Sequence, residues 1–244
     1  MRLHFLGTGA SGGTPGHGRS NRLESSLLIS AGVELLIDVT RDFPVQCERL
    51  SRIDTILLTH GHRDATGGLP ALRRWWLDHG AARPIDVLLN DATARIVRAR
   101  YKRLEHCRLH VVTAGRPRRV GPLSVDALVV PHARESRFTT FAWRILQGNR
   151  SVVYASDVAY LTEDLERFSA GAAVLVLDGA MWRRRLFSHL TIDEALPAVC
   201  SWPVEAIILT QIGRTAPRHA RLQREVAALC TKARAARDDL TLTI

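Results

Sequence analysis

Five apolar runs in this chain end on a residue that can carry chemistry. Ile56-Leu57-Leu58-Thr59 meets His60, Val129-Val130-Pro131 meets His132, and Tyr154-Ala155-Ser156 meets Asp157. The apolar stretch 173–178 closes on Asp178, and Ile207-Ile208-Leu209-Thr210 runs into Gln211. Short apolar runs of this kind read as strands, and stretches of helical spacing lie between them. The chain is therefore expected to be α/β, with its reactive groups gathered at strand C-termini.

The other elements follow from periodicity and turn residues. Residues 2–6 alternate as a strand, and the glycine-rich stretch 7–16 is a loop that must turn tightly or pass close to a neighbour. No Gly-Lys-Ser/Thr follows it, so it is not a Walker loop, and no helix follows closely enough for a dinucleotide site. Further strands are expected at 25–30, 33–38, 53–58, 86–89, 109–112, 123–130, 140–146, 151–156, 206–210 and 240–244. Helices are expected at 41–50, 91–105, 161–169, 218–236 and 69–79, the last with Leu69, Leu72, Trp76 and Leu77 at helical spacing. Thr191 with Glu194 three residues on reads as a capping box, opening a helix to about residue 200. The run 56–60 is echoed by 207–211, which suggests a duplicated half. No linker divides the chain, so residues 1–244 are expected to form one domain.

The turn after the strand at 53–58 carries the sharpest signal. It presents His60, His62 and Asp64 within five residues, followed by Gly67-Gly68. Imidazole is the commonest neutral metal ligand, and a carboxylate adds a hard oxygen. With His132 and Asp157, three imidazoles and a carboxylate make a catalytic zinc site with an exchangeable position. A metal there would lower the pKa of its water towards neutrality and generate hydroxide for attack on phosphorus.

Thr59-His60-Gly61-His62-Arg63-Asp64-Ala65 resembles the Thr-His-x-His-x-Asp-His element of the metallo-β-lactamase superfamily, with Ala65 where the last histidine belongs. The resemblance spans nearly the whole chain. Leu6-Gly7-Thr8-Gly9 is similar to the family's opening element, Asp38 to its buried-strand Asp, His132 to its third first-site histidine and Asp157 to its bridging carboxylate. The long glycine-rich loop and Ser188-His189-Leu190-Thr191 resemble the phosphodiesterase branch, which includes tRNase Z and the cyclic-phosphate phosphodiesterase of the carbon–phosphorus lyase pathway. The resemblance implies an αββα four-layer sandwich, two sheets face to face with helices outside. It also implies that His189 and Thr191 supply a general acid or a phosphate contact.

The family's second metal site would fall on Asp64, Ala65, Asp157 and Gln211. Ala65 cannot ligate, and Gln211 offers only an amide oxygen, acceptable to harder cations. The expectation is one tightly held divalent transition metal, zinc first and manganese or iron next, with a second ion weak or absent. Asp64 is then free to act as general base. Residues 7–22 contain no cysteine, so no structural zinc is expected on that loop.

The formal charge of +10 is almost all arginine, the only lysines being Lys102 and Lys232. It suits a phosphate-bearing or polyanionic partner, although an arginine-rich coding bias produces the same balance. Arg63, Arg134, Arg137 and Arg183-Arg184-Arg185 lie near the proposed ligands in sequence, with Arg134 and Arg185 the candidates for a phosphate clamp. Met181-Trp182 is a candidate apolar wall for a base or sugar. Cys47, Cys107, Cys200 and Cys230 are scattered without a Cys-x-x-Cys pair, so four reduced thiols are expected. No apolar run reaches the roughly 18 residues of a membrane helix, and the N-terminus lacks a signal-peptide core. The expectation is a cytoplasmic protein without a membrane partner, monomeric or homodimeric.

Together these features read as a metal-dependent hydrolase of a small cyclic or nucleotide-type phosphodiester, acting through a metal-bound hydroxide. Two alternatives stand beside it. One is an RNA- or DNA-processing nuclease, favoured by the charge. The other is a non-catalytic metal- or nucleotide-binding member, motivated by the two missing second-site histidines.

Overall fold

The computed structural model describes residues 1–80, 83–132 and 138–244. The first half contains β1 (Arg2–Gly7), β2 (Ser26–Ser30), β3 (Glu34–Ile37), α1 (Phe43–Gln46), β4 (Thr55–Leu57), α2 (Arg63–Thr66), α3 (Leu69–Asp78), β5 (Ile85–Leu89), α4 (Asp91–Arg100) and β6 (Cys107–Val111). The second contains β7 (Arg118–Val120), β8 (Leu123–Val130), β9 (Thr140–Gln147), β10 (Arg150–Ala155), α5 (Glu163–Ser169), β11 (Val174–Asp178), α6 (Ile192–Val199), β12 (Ala206–Thr210), α7 (His219–Leu229), β13 (Ala233–Ala235) and β14 (Leu240–Thr243).

Two seven-stranded sheets result, in the orders β14-β1-β2-β3-β4-β5-β6 and β13-β12-β11-β10-β9-β8-β7. In the first, pairing is antiparallel from β14 to β3 and parallel from β3 to β6. In the second it is antiparallel from β7 to β10 and parallel from β10 to β13. The sheets therefore repeat one scheme, in which β3, β4 and β5 correspond to β10, β11 and β12. The echo between 56–60 and 207–211 joins β4 to β12, one strand out of step with that repeat. Similar apolar runs report that both strands are buried on both faces, not where each sits in its sheet.

Strand periodicity explains the four layers. Side chains alternate between sheet faces, and here both faces are covered. Leu35, Ile37 and Leu57 join Val174, Val176 and Ile208 in the core between the sheets. Leu36, Ile56 and Leu58 turn outward against Leu69, Leu72 and Val97 of α3 and α4. Leu175, Leu177, Ile207 and Leu209 turn outward against Leu196, Leu222 and Val226 of α6 and α7. This double burial is why the central strands lack polar alternation. Each fully buried Leu or Ile stabilises the fold by about 1.5–3 kcal/mol.

Several expected elements differ in extent. The helix read over 218–236 stops at Leu229, and 233–235 form the parallel edge strand β13. The helix read over 91–105 ends at Arg100, and 41–50 is one short helix followed by a 3₁₀ turn at Cys47–Arg49. In α3 the buried stripe is Leu69, Leu72 and Trp75, while Leu77 is exposed. Strand β7 and the short α2 inside the histidine turn carry too few residues for a periodicity signal. Thr191 precedes α6 without a side-chain cap, and the Glu194 carboxylate accepts from the Arg185 Nε at 2.9 Å. Cys200 and Cys230 are joined in a disulfide, correcting the expectation of four free thiols. They end α6 and α7, neighbours in space that lie 30 residues apart in sequence. Among the described residues no helix is long and apolar enough to cross a membrane.

The C-terminal ends of the parallel strands in each sheet form a rim, and hydrogen bonds tie the two rims together. The Phe141 N–H at the start of β9 donates to the Thr59 carbonyl after β4 at 2.9 Å. Ser25 Oγ lies 2.9 Å from Thr210 Oγ1 and accepts from the Gln211 N–H at 2.8 Å. The glycine-rich loop closes against the same region. A Cβ at Gly7 would lie 2.1 Å from the Glu24 carbonyl oxygen, so only glycine fits there.

Candidate metal and catalytic centre

His60, His132 and His189 each have their ring orientation set by the partner of Nδ1. Asp38, in left-handed backbone (φ 62) after β3, accepts from the Thr59 N–H and the Thr59 hydroxyl, both at 2.8 Å. The Thr59 oxygen is therefore left to accept from His60 Nδ1–H, 2.9 Å away, and the lone pair of His60 sits on Nε2. Among the described residues, that Nε2 is buried and without a hydrogen-bond partner, as is Asp64 Oδ1 at 3.7 Å from it. His132 Nδ1 lies 2.8 Å from the Ser188 carbonyl oxygen, which can only accept, so its Nε2 too carries the lone pair. The His62 ring lies tilted against that of Phe138, with ring centroids 4.1 Å apart.

These groups converge. Ligand atoms of His60, His62 and His132 lie within 4.8 Å of one another, as do those of His60, Asp64 and Asp157. Burial holds the His60 and His62 imidazoles below their ordinary value, His62 down to about 3, with the neighbouring imidazoles adding to the effect on His62. Burial thus keeps His60 and His62 neutral, as metal ligation requires. Burial pushes the Asp157 carboxyl up, but His60, His132 and His189 outweigh it and hold the group well below the usual carboxylate range. Burial raises Asp64 as well, and there His60 only partly opposes it. Orphaned buried lone pairs on His60 and Asp64 are costly unless a cation or water meets them. The donor set of three imidazoles and two carboxylates fits a borderline divalent ion.

The second-site positions behave differently. Ala65 is buried in α2 with only a methyl to offer. Gln211, in left-handed backbone (φ 58), points its amide nitrogen at Asp157 Oδ1, 2.9 Å away. In this arrangement the Gln211 amide donates to the carboxylate.

His189 forms the other half of the centre. Its Nδ1 lies 2.7 Å from Asp178 Oδ2, and Asp178 also accepts from the N–H groups of Val158 and Ala180. Burial pulls the imidazolium down, but Asp178 outweighs it and holds His189 up to about 9. The His189 ring stands 4.9 Å from that of His132, centroid to centroid. Asp178 ends an apolar run in the sequence, and its pairing with the His189 side chain is visible only in the fold.

A cavity of about 620 Å³ opens over the centre, lined by His62, Asp64, His132 and His189 together with Arg41 and Arg63. Sequence reasoning missed Arg41. Buried Glu24 fixes it, accepting from its Nε at 2.9 Å and from its backbone N–H at 2.8 Å. Arg134 and Arg137 lie outside the described residues. Arg185 and Thr191 line an adjoining cavity rather than this one. Arg183 stacks over Trp182, and Trp182 is itself buried in the core, so it forms no wall for a base or sugar.

Residues 26–212 match the family model described as a beta-lactamase superfamily domain. The chain is 27% identical to a ribonuclease Z of Shouchella clausii, covering 93% of this chain and 92% of that protein. It is 26% identical to an octanoyltransferase of Porphyromonas gingivalis over 90% of its length, and spans about half (47%) of that relative. The crystal structure of a diphosphatase of the PhnP family superposes with a TM-score of 0.86 at 22% identity, covering 100% of this chain and 97% of the other. A zinc-bound PqqB from Methylobacterium extorquens gives 0.84 at 20% identity over the full length of both chains.

Proposed function

This chain belongs to the beta-lactamase superfamily, and we propose that it is a metal-dependent hydrolase of phosphodiesters. The observation that carries the reading is one centre with opposed roles. A neutral His60 and the Asp64 carboxylate, each with an orphaned buried lone pair, stand on one side, and an imidazolium held by a buried carboxylate stands on the other. His60, His62, His132 and Asp157 would hold one divalent ion, with zinc first, and manganese or iron next, as the candidates. Such an ion, when bound, supplies Lewis acidity towards phosphoryl oxygen and water.

The chain's own residues supply the rest. Arg41 and Arg63 line the cavity with positive charge for the phosphate. Asp64, kept basic by burial, takes the proton of the attacking water. Water adds to phosphorus as the bond to the leaving oxygen breaks, and His189 hands its Nε2 proton to that oxygen. Asp178 keeps His189 charged and oriented for this transfer. Gln211 holds Asp157 where a second ion would otherwise compete for it, which favours a single-ion centre.

A generic aryl phosphodiester should be hydrolysed by zinc- or manganese-loaded protein, and Asp64→Asn should cost on the order of 10²–10⁴ in rate. Turnover of thioesters or lactones without any phosphodiesterase activity would overturn the reading. A second reading, cleavage of a nucleic-acid phosphodiester, is favoured by the charge of +10. Binding to structured RNA that weakens steeply with salt is its distinguishing result.

A further inference from the structure

A second cavity, of about 520 Å³, adjoins the one over the centre, and the two share Phe187 and His189. Their linings differ in kind. The first presents Arg41, Arg63 and the imidazoles. The second is walled by Tyr160, Leu161, Leu186, Phe187 and Leu190, and apart from His189 its charged lining residues, Arg185 and Glu194, bind each other at 2.9 Å. Of the seven large apolar side chains exposed among the described residues, Tyr160, Leu186 and Phe187 all line this cavity. Scattered exposed apolar residues need no explanation, but a cluster of them beside a reactive group marks a contact surface. The volume is that of a small-molecule site.

We infer that this cavity is the leaving-group subsite, and that it selects phosphodiesters whose leaving alcohol carries an aromatic ring. The inference rests on the phosphodiesterase reading. The phosphate belongs in the first cavity, because the second offers it no uncompensated positive charge. His189 borders both cavities, so the oxygen that it protonates lies at their junction. The part of the substrate beyond that oxygen then extends into the second cavity. There Tyr160 and Phe187 supply aromatic lining, and Leu186 an aliphatic wall. An aryl or nucleoside group gains stacking and burial in such a place, while a short alkyl group gains less. Hydrolysis breaks the bond from phosphorus to this alcohol's oxygen. The alcohol leaves with the proton from His189, and the phosphomonoester remains in the basic cavity.

The test compares two methyl phosphodiesters whose second alcohols match in acidity, 2-phenylethyl and n-butyl. It adds the corresponding phosphonates in which carbon replaces the leaving oxygen, for binding by calorimetry. The expected result is about a tenfold preference for the phenyl compound, both in kcat/KM with metal-loaded protein and in phosphonate affinity. That ratio should fall towards one in the double variant Tyr160→Ala/Leu186→Ala. It should persist in Val129→Ala, an exposed apolar residue outside the cavity. Because Tyr160 and Leu186 are exposed, both variants should fold, and a thermal midpoint near that of the wild type checks this. Hydrolysis of both diesters without preference, or a preference that survives the double variant, would overturn the subsite. A phenyl preference in binding with no hydrolysis of either diester would leave the subsite standing and overturn the phosphodiesterase reading.

Discussion

Replacing Asp178 with Asn removes a charge and keeps the shape, so it isolates what the carboxylate does for His189. In the wild type, burial pulls the His189 imidazolium down and Asp178 more than compensates, raising it from an ordinary 6.5 to about 9. Without that charge only Asp157 and Asp64 oppose burial, and the imidazole should titrate below 6.5. At pH 7.5 the protonated fraction then falls from about 0.97 to about 0.1 or less, roughly a tenfold loss of the acid form. Side-chain NMR titration of metal-free protein reads the pKa directly. On a diester with an alkyl leaving group, the rate at pH 7.5 should fall about tenfold. On a p-nitrophenyl ester, whose leaving group needs little protonation, it should change only a few-fold. Stability carries the same signature. A histidine raised by folding contributes stability that is complete below 6.5 and is lost as pH rises through about 9. The wild type should lose roughly 3 kcal/mol across that window, and Asp178→Asn should not. An imidazole that still titrates near 9 in the variant, with an unchanged alkaline loss of stability, would refute the argument.

Ala65→His combined with Gln211→His should bind two divalent ions where the wild type is expected to bind about one. Elemental analysis after mild chelation reads this, and a stoichiometry that stays at one would refute the account of the second site. Burial, with Arg22 and Arg19 beside it, holds His219 down to about 4. Its neutral form therefore stabilises the fold above 6.5, and that contribution is lost as pH falls towards 4. His219→Gln should flatten the decline of the thermal midpoint over this window, and an unaltered slope would exclude the contribution. Cutting the Cys200–Cys230 bridge, which spans 30 residues, should lower unfolding stability by about 3–4 kcal/mol from loop entropy. Urea midpoints with and without reductant measure it, and coincident midpoints would exclude the bridge.

The sequence by itself determined the elements whose cause is local. Double-sided burial writes unbroken apolar runs into β4, β11 and β12, and a strand end must deliver the next side chain to the rim. His60, His62 and Asp64 were legible because one turn carries all three, and His132 and Asp157 because each closes such a run. Only the tertiary structure decided which atoms face which. The lone pair of His60 sits on Nε2 because Asp38, 22 residues earlier, accepts the hydrogen bond of the Thr59 hydroxyl. Gln211 became a donor because Asp157 lies against it. Arg41 entered the site because buried Glu24 holds it there. Trp182 faced the core while Tyr160 faced solvent, although both are aromatic residues in loops after strands. Periodicity records which face of an element is covered. Charge state, tautomer and the lining of a cavity depend on partners brought together across the fold, and no short stretch of chain encodes those distances.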